Sequence, residues 1–507
     1  MSDIAVAESG TRLQNFLDRA GLRGFPWKTA TTLYTISWGW LFIVRDSLWS
    51  DDWWRYPNSF EYPWSTFGHA PWLKYEAYVF GFVGVGGVHF IIFLGFFLAA
   101  IFLNQTLCKT QLFNKSENQF LILLFLVLPF NTARVALYTF CYSIPYVLFF
   151  LAWYLLANFT SRKTYFFSIA LFFLSFGMHS LLPFYLLPAL HKFMMAKVGS
   201  VRMLIEFVRK NFVLLFLPFL YWGMRSIFWP EQVAYHDVSL TSVLKTKYFI
   251  LVSGGLLLII YVLQLKLKEV KQSLQVVFAG TLCIFFGIYA YVVYGFFPPG
   301  WSFFSRYFET FLGRSDWYSR HQTLQPLGAA LLIVGLIGLL PKFLKRFTKQ
   351  IQASILAVCV LLNIGYGFEY VVDHSKQKEV IGVLKEEGES KLGSNYQFVD
   401  QTTLLNARGR AYRERDWKGL IWLAHGVESM QLSRVETVCK SNSDARLVLI
   451  QGPETHWEAL ENWVSDGDMG FKVTVDDKPG ACKPEIVTNQ RSSGAIPILF
   501  YFTGAKG

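Results

Sequence analysis

The residue types best suited to chemistry are concentrated in Arg45-Asp46-Ser47-Leu48-Trp49-Ser50-Asp51-Asp52-Trp53-Trp54-Arg55-Tyr56. Asp51 and Asp52 are adjacent carboxylates ringed by tryptophans, just after a long apolar run. Beside a low-dielectric surface, such a pair can hold a divalent cation such as Mg or Mn. It can also pair with Arg55, or take up a proton as a general base because its pKa is raised. Trp53 and Trp54 suit an interfacial belt or an aromatic platform. The plainer alternative is a solvated loop in which Asp51 and Arg55 pair across one turn.

A second cluster lies in residues 297–323. Arg306, Arg314, Arg320 and His321 stand there among Trp301, Glu309, Asp316, Trp317 and Tyr318. Guanidinium forks present paired donors that match phosphate oxygens, so this loop can hold a phosphate or diphosphate. Anchoring at a membrane surface is the competing role. Weaker candidates follow. Asp237 can add a carboxylate beside Glu231 and His236. Arg134 and Arg225 can pair with carboxylates, touch a lipid phosphate or snorkel to the interface. His179 can face a cavity or pack as a hydrogen-bonded core residue. Asn406 to Trp417 mixes basic and aromatic residues as a contact surface or a solvated loop. No Walker loop, dinucleotide fingerprint or nucleophile elbow occurs.

The elements that must position these groups are transmembrane. The chain of 507 residues is 53% hydrophobic and only 16% charged, against about 25% charged in soluble domains. Apolar runs fill 29–368, and 369–507 has ordinary soluble composition. About eleven spans fit, near 29–44, 77–103, 119–135, 140–157, 164–178, 181–195, 211–228, 248–265, 274–296, 324–341 and 350–368. Several fall short of a straight crossing, which implies tilt or broken helices. Residues 164–197 can be one span or a hairpin turning at His179–Ser180. With a hairpin and an inner N-terminus, the inner segments hold twice as many Lys and Arg as the outer ones. A single span would reverse every later loop. The positive-inside rule therefore selects the hairpin and an exported C-terminus. The net charge of +12 is dispersed in these short loops, which argues against a nucleic-acid partner.

The expected organisation has three parts. Residues 1–28 form a cytoplasmic segment, either an interfacial helix or a frayed tail. Residues 29–368 form the membrane domain, with outer loops 45–76 and 297–323. Residues 369–507 form an exported α/β or α+β domain. Cys439 and Cys482 are that domain's cysteine pair, and a disulfide between them would contribute roughly 3–4 kcal/mol in the chain-entropy model. Cys108, Cys141, Cys283 and Cys359 read as apolar fillers. Asn104, Asn114 and Asn158 begin Asn-x-Ser/Thr triplets but fall on the inner side.

An acidic pair straight after the first transmembrane helix, in a first external loop that continues toward an amphipathic stretch, resembles the GT-C superfamily of integral-membrane glycosyltransferases. The match rests on Asp51-Asp52 and on the topology of 1–368. Trp64 to Tyr78 would correspond to that superfamily's membrane-surface helix. The resemblance implies a polytopic α-helical, GT-C-like enzyme in a bacterial inner membrane, multi-pass, with a periplasmic C-terminal domain. Its donor would be a polyprenyl-phosphate-linked sugar, and its acceptor a cell-surface glycan or lipid. Asp51 or Asp52 would deprotonate or orient the acceptor. Trp53, Trp54, Arg55, Asp237, Arg306, Arg314, Arg320 and His321 would bind substrate. A polysaccharide polymerase or ligase would instead lean on arginines. A transporter or assembly subunit would need neither group, although matched internal repeats are not found. Asp51→Asn and Asp52→Asn in a complemented deletion strain are expected to abolish glycan modification, scored by mass spectrometry of surface glycans. Loss on Arg320→Ala with both aspartate variants active would favour the ligase-like reading.

Overall fold

The computed structural model describes residues 24–45, 47–49, 70–110, 113–196, 201–230, 255, 259, 271–293, 325–387, 396–400, 414–426, 446–453 and 456–476. These are mostly helical. They divide into two compact units. The first comprises Met1–Gly39, Pro63–Arg134 and Thr139–Asn363; the second comprises Trp40–Tyr62, Val135–Tyr138 and Ile364–Gly507.

In the first unit the helices are α1 (Trp27–Trp38), α2 (Tyr75–Thr110), α3 (Lys115–Val127), α4 (Phe140–Asn158) and α5 (Arg162–Ser175). Then come α6 (Leu186–Met195), α7 (Val201–Lys210), α8 (Phe212–Phe228), α9 (Lys271–Val293) and α10 (Gln325–Gly338). Among the described residues, three helical stretches are long and apolar enough to cross a membrane: Phe82–Lys109, Phe140–Asn158 and Thr348–Glu386. Outward-facing side chains here are often apolar, as with Phe82, Phe90, Leu94, Phe166, Phe167, Phe216 and Phe219. A helix apolar on its exposed face is one solvated by lipid.

Side-chain contacts fix the direction of each helix. Gln119 donates to the Gly24 carbonyl and Trp38 Nε1 to the Leu126 carbonyl, so α1 and α3 run parallel. Tyr34 packs against Phe93 while Phe25 meets Phe97, so α2 opposes α1. Phe96 meets Tyr146 and Phe102 meets Tyr154, so α4 runs with α2. Phe149 meets Phe172, and Ser168 donates to the Ala152 carbonyl, so α5 opposes α4. After Ser175 the helix stops. Two 3-10 turns, His179–Leu181 and Pro183–Tyr185, precede α6. Trp153 of α4 then donates to His191 of α6, while Tyr185 packs on Phe172 and Phe176, so the chain has doubled back.

The alternation gathers one kind of charge at one end. Lys109 closes α2, Lys115 opens α3, Arg162 and Lys163 open α5, and Lys192 lies near the end of α6. Local chemistry supports the same boundaries. Asn114 caps α3 by accepting from the Glu117 amide while Glu117 accepts from the Asn114 amide, a reciprocal capping box. Inside the bundle Asn118 donates to Asn104 and to Cys108 Sγ, a buried polar link between α2 and α3. Tyr75–Thr110 is not one smooth rod. Gly84 has φ 65° and ψ −177°, a conformation essentially reserved for glycine, and it kinks the helix just inside its apolar stretch.

Helices α9 and α10 form an antiparallel pair with a seam of small residues. A Cβ on Gly280 would lie 2.6 Å from the Leu332 amide, and one on Gly328 would lie 2.9 Å from the Ile284 amide. In hydrocarbon, helices gain little from hiding apolar surface, so close backbone approach is what binds them.

The second unit is built on the last half of α11 (Thr348–Glu387), a helix of 40 residues. Composition changes near 368, but the helix does not break there. After it come β1 (Tyr396–Asp400), α12 (Glu414–His425), β2 (Arg446–Gln451), α13 (His456–Asp466) and β3 (Lys472–Asp476). The sheet has the order β1-β2-β3, with β1 parallel to β2 and β3 antiparallel to it. Val372 of α11 packs with Ala459, Met469 and Phe471.

Gly280→Leu or Gly328→Leu should cost about 1–3 kcal/mol by overpacking. Gly223→Ala, where a Cβ meets nothing within 4 Å, should be neutral or mildly stabilising. Thermal unfolding of the detergent-solubilised chain checks both.

Candidate functional site

Asp51, Asp52, Trp53, Trp54, Arg55, Asp237, Arg306, Arg314, Arg320, His321, Cys439 and Cys482 all lie outside the described residues. Two arrangements inside them bear on chemistry, one in each unit.

The first surrounds Arg134. Helix α3 ends at Val127, and Asn363 supplies a donor to the Val127 carbonyl at 2.6 Å. The chain then makes an irregular turn before α4. Asn131 has φ 58°, the one non-glycine positive φ among the described residues. Asparagine tolerates that left-handed conformation better than most residues, yet it still stores strain. A 3-10 turn, Thr132–Val135, brings Arg134 inward.

Arg134 does not snorkel: it is 3% exposed. Its Cζ lies 3.6 Å from the Trp38 ring centroid and 4.3 Å from that of Phe96. Phe96 falls near the middle of the apolar stretch Phe82–Lys109. Nε donates to the Asn131 carbonyl at 3.2 Å, and the Tyr34 and Tyr146 side chains lie within electrostatic reach. Among the described residues no carboxylate pairs with it. Three buried polar atoms in this turn have no hydrogen-bond partner: Asn131 Oδ1, Thr132 Oγ1 and Arg134 Nη1. A buried cation whose donors are not all used, beside unused acceptors in a strained turn, is an arrangement suited to an anion that also carries hydroxyls. Intramembrane charge was the signal that could have ranked Arg134 first. The aromatic partners come from far along the chain and gave no local clue.

The second arrangement fastens Ser47, Leu48 and Trp49, shortly after α1, to α11. On α11, Gly367, Tyr370, His374 and Gln377 follow one another along a single helical stripe. Trp40 stacks on Tyr370 with centroids 5.1 Å apart, and Trp49 meets the same ring edge-on at 5.1 Å. Ser47 Oγ hydrogen-bonds His374 Nδ1. Gln377 grips both backbone groups of Leu48, accepting from its amide at 3.3 Å and donating to its carbonyl at 3.1 Å. Ser47, Leu48 and Trp49 are all buried. The neighbouring stripe carries Glu369, Asp373 and Lys376, which are buried ionisable groups. Sequence reasoning gave these α11 residues no role at a site, because they straddle the point near 368 where composition turns from apolar to soluble.

Elsewhere in the first unit, Arg225 is buried, with Cζ 4.9 Å from the Trp222 ring. His179 packs against Tyr221 and Trp222. Among the described residues Cys141, Cys283 and Cys359 are buried and outside any disulfide, and Cys108 is exposed. No group of three or more His, Cys, Asp or Glu among the described residues could hold a metal ion.

No family model matches this chain, and no curated protein and no solved structure matches it.

Gln377→Leu should leave the buried Leu48 amide and carbonyl unsatisfied, at about 1–3 kcal/mol each. Thermal unfolding should fall accordingly, and Gln377→Glu, which keeps the acceptor and loses the donor, should lie between the two.

Proposed function

We propose that this chain is a membrane glycosyltransferase that moves a sugar from a polyprenyl-phosphate donor to a cell-surface glycan or lipid acceptor. The reaction would take place at the periplasmic face of a bacterial inner membrane. The reading includes a GT-C-like scaffold of about eleven spans and an exported C-terminal α/β domain. The observation that carries it is Arg134: a guanidinium held between Trp38 and Phe96 inside apolar helices, with Nη1 unspent. A lipid-linked phosphate is an anion that reaches such a place from the side, through the bilayer.

The chemistry is a single displacement. The acceptor oxygen forms a bond to the anomeric carbon as the bond from that carbon to the phosphate oxygen breaks. The acceptor proton passes to Asp51 or Asp52. The bonding pair leaves with the polyprenyl phosphate, whose charge a guanidinium stabilises. In a low-dielectric site that stabilisation is stronger than in water. Arg306, Arg314, Arg320 and His321 are the further phosphate-binding candidates. Trp53 and Trp54 would stack on the sugar, and Arg55 and Asp237 would contact substrate. A divalent cation on Asp51 and Asp52 is compatible with the same displacement.

A second reading, a polysaccharide polymerase or ligase, is favoured by the lack of a carboxylate beside Arg134 among the described residues. An arginine-led site needs no acidic pair. Arg134→Ala and Arg134→Lys separate these outcomes when each is expressed in a deletion strain and surface glycans are measured by mass spectrometry. Arg134→Ala should lower transfer by about a hundredfold or more, and Arg134→Lys should be intermediate, since it keeps charge but loses the planar fork. If Arg134→Lys folds normally and both variants transfer at the wild-type rate, the proposal fails. If the arginine variants are dead while Asp51→Asn and Asp52→Asn are active, the polymerase or ligase reading replaces the first.

A further inference from the structure

Helix α7 is unlike its neighbours. Its sequence, Val201-Arg202-Met203-Leu204-Ile205-Glu206-Phe207-Val208-Arg209-Lys210, divides sharply when wound at 3.6 residues per turn. Arg202, Glu206, Arg209 and Lys210 occupy one side, and every other residue is apolar. Phe207 alone is buried, at the edge of the Phe193 ring of α6 with centroids 5.4 Å apart. Much of the apolar side is open: Val201 is 73% exposed and Ile205 63%, with Leu204 and Val208 also exposed.

Its position says what covers them. Helix α6 runs with α4. Helix α8 runs with α5, since Leu214 lies beside Tyr165 while Tyr221 meets Phe173. Helix α7 therefore lies between the finish of a descending helix and the start of an ascending one. That is the end of the first unit where Lys109, Lys115, Arg162, Lys163 and Lys192 also stand. Lys210 and Lys192 are close enough to feel each other's charge. Arg202 pairs with Glu206 at 3.3 Å on the exposed side, leaving Arg209 and Lys210 as the balance of positive charge. A polar–apolar helix too short to span, with a cationic flank, placed where spans turn round, matches the surface of an anionic leaflet.

We propose that α7 lies in the plane of the membrane interface. Val201, Leu204, Ile205 and Val208 would sit among the upper acyl carbons, and Arg202, Arg209 and Lys210 would touch the phosphates of anionic lipids. The phosphate contacts make the helix's docking dependent on lipid charge. This does not depend on the glycosyl-transfer reading and can fail or stand separately from it.

The test uses the full chain with Cys108→Ser, reconstituted in nanodiscs. An environment-sensitive fluorophore is attached at Ile205→Cys or at Lys210→Cys, about 140° apart around the helix. At 205 the emission should be quenched by brominated acyl chains and shielded from aqueous iodide; at 210 the order should reverse. Equal iodide quenching at the two positions would overturn the proposal. So would efficient cross-linking between two chains through position 205, which would make a second copy the cover. Replacing neutral lipid by phosphatidylglycerol should strengthen shielding at 205. The Arg202→Gln, Arg209→Gln, Lys210→Gln triple variant should lose that response by about fivefold or more, as should salt of about 0.5 M. An unchanged phosphatidylglycerol response in a triple variant that folds normally would refute the charge dependence.

Discussion

A positive charge buried away from water needs something to lower its self-energy, and the architecture around Arg134 is organised to do so. Moving an ion from water into an apolar interior costs several kcal/mol even after relaxation. Here the compensation is assembled from rings and dipoles. Trp38 and Phe96 offer their π faces at 3.6 and 4.3 Å, contacts worth about 2 kcal/mol or more when water is absent. The Asn131 carbonyl turns toward Nε because the backbone at that residue takes a left-handed conformation. Three features that look separate in sequence, an aromatic at the end of α1, another midway along α2 and a strained asparagine, thus serve one electrostatic problem.

That problem also constrains the helices. Trp38 can lie over the guanidinium only if α1 runs beside α3, and Trp38 Nε1 is held on the Leu126 carbonyl at 3.0 Å. Phe96 is available because α2 comes back antiparallel, with Tyr34 donating to the Phe93 carbonyl at 2.9 Å. The alternation that places these rings also sorts the exposed lysines and arginines to the opposite terminus of the bundle. One threading of the chain therefore yields a cation-rich rim and a sequestered Arg134, which behave differently because one is hydrated and the other is not.

The helical, membrane-type character was legible from hydrophobic runs, since spans need only length and apolarity; among the described residues three helices meet both conditions. The interruption between Ser175 and Leu186 was legible from charge counting, and Gly177 and Pro183 mark it locally. The fate of Arg134 was not. A lone arginine near the end of a run looks the same whether it reaches for the interface or is drawn inward, and the partners that decide are 96 and 38 positions away. The continuity of α11 was hidden for another reason: polarity rises at 369, yet no proline occurs before Glu387, so the helix keeps going through Asp373 and Gly382 while its surroundings change. The stripe Tyr370–His374–Gln377 is regular at helical spacing but mixes aromatic and polar types, so periodicity alone does not reveal it. The acidic pair and the arginine loop remain readings of the sequence.

Gly367 shows how the contact around Trp40 is set. A Cβ there would collide with the indole of Trp40, whose ring lies parallel to Tyr370 within 4°. Alanine is ordinarily the better helix former by about 1 kcal/mol. At this position that gain is forbidden, because the methyl group would lever the indole off the tyrosine ring and unseat the strand of chain leading to Ser47. The helix accepts a weaker backbone at one residue so that two flat rings can meet face to face, and the least restrained residue in the stripe is the one that fixes the geometry.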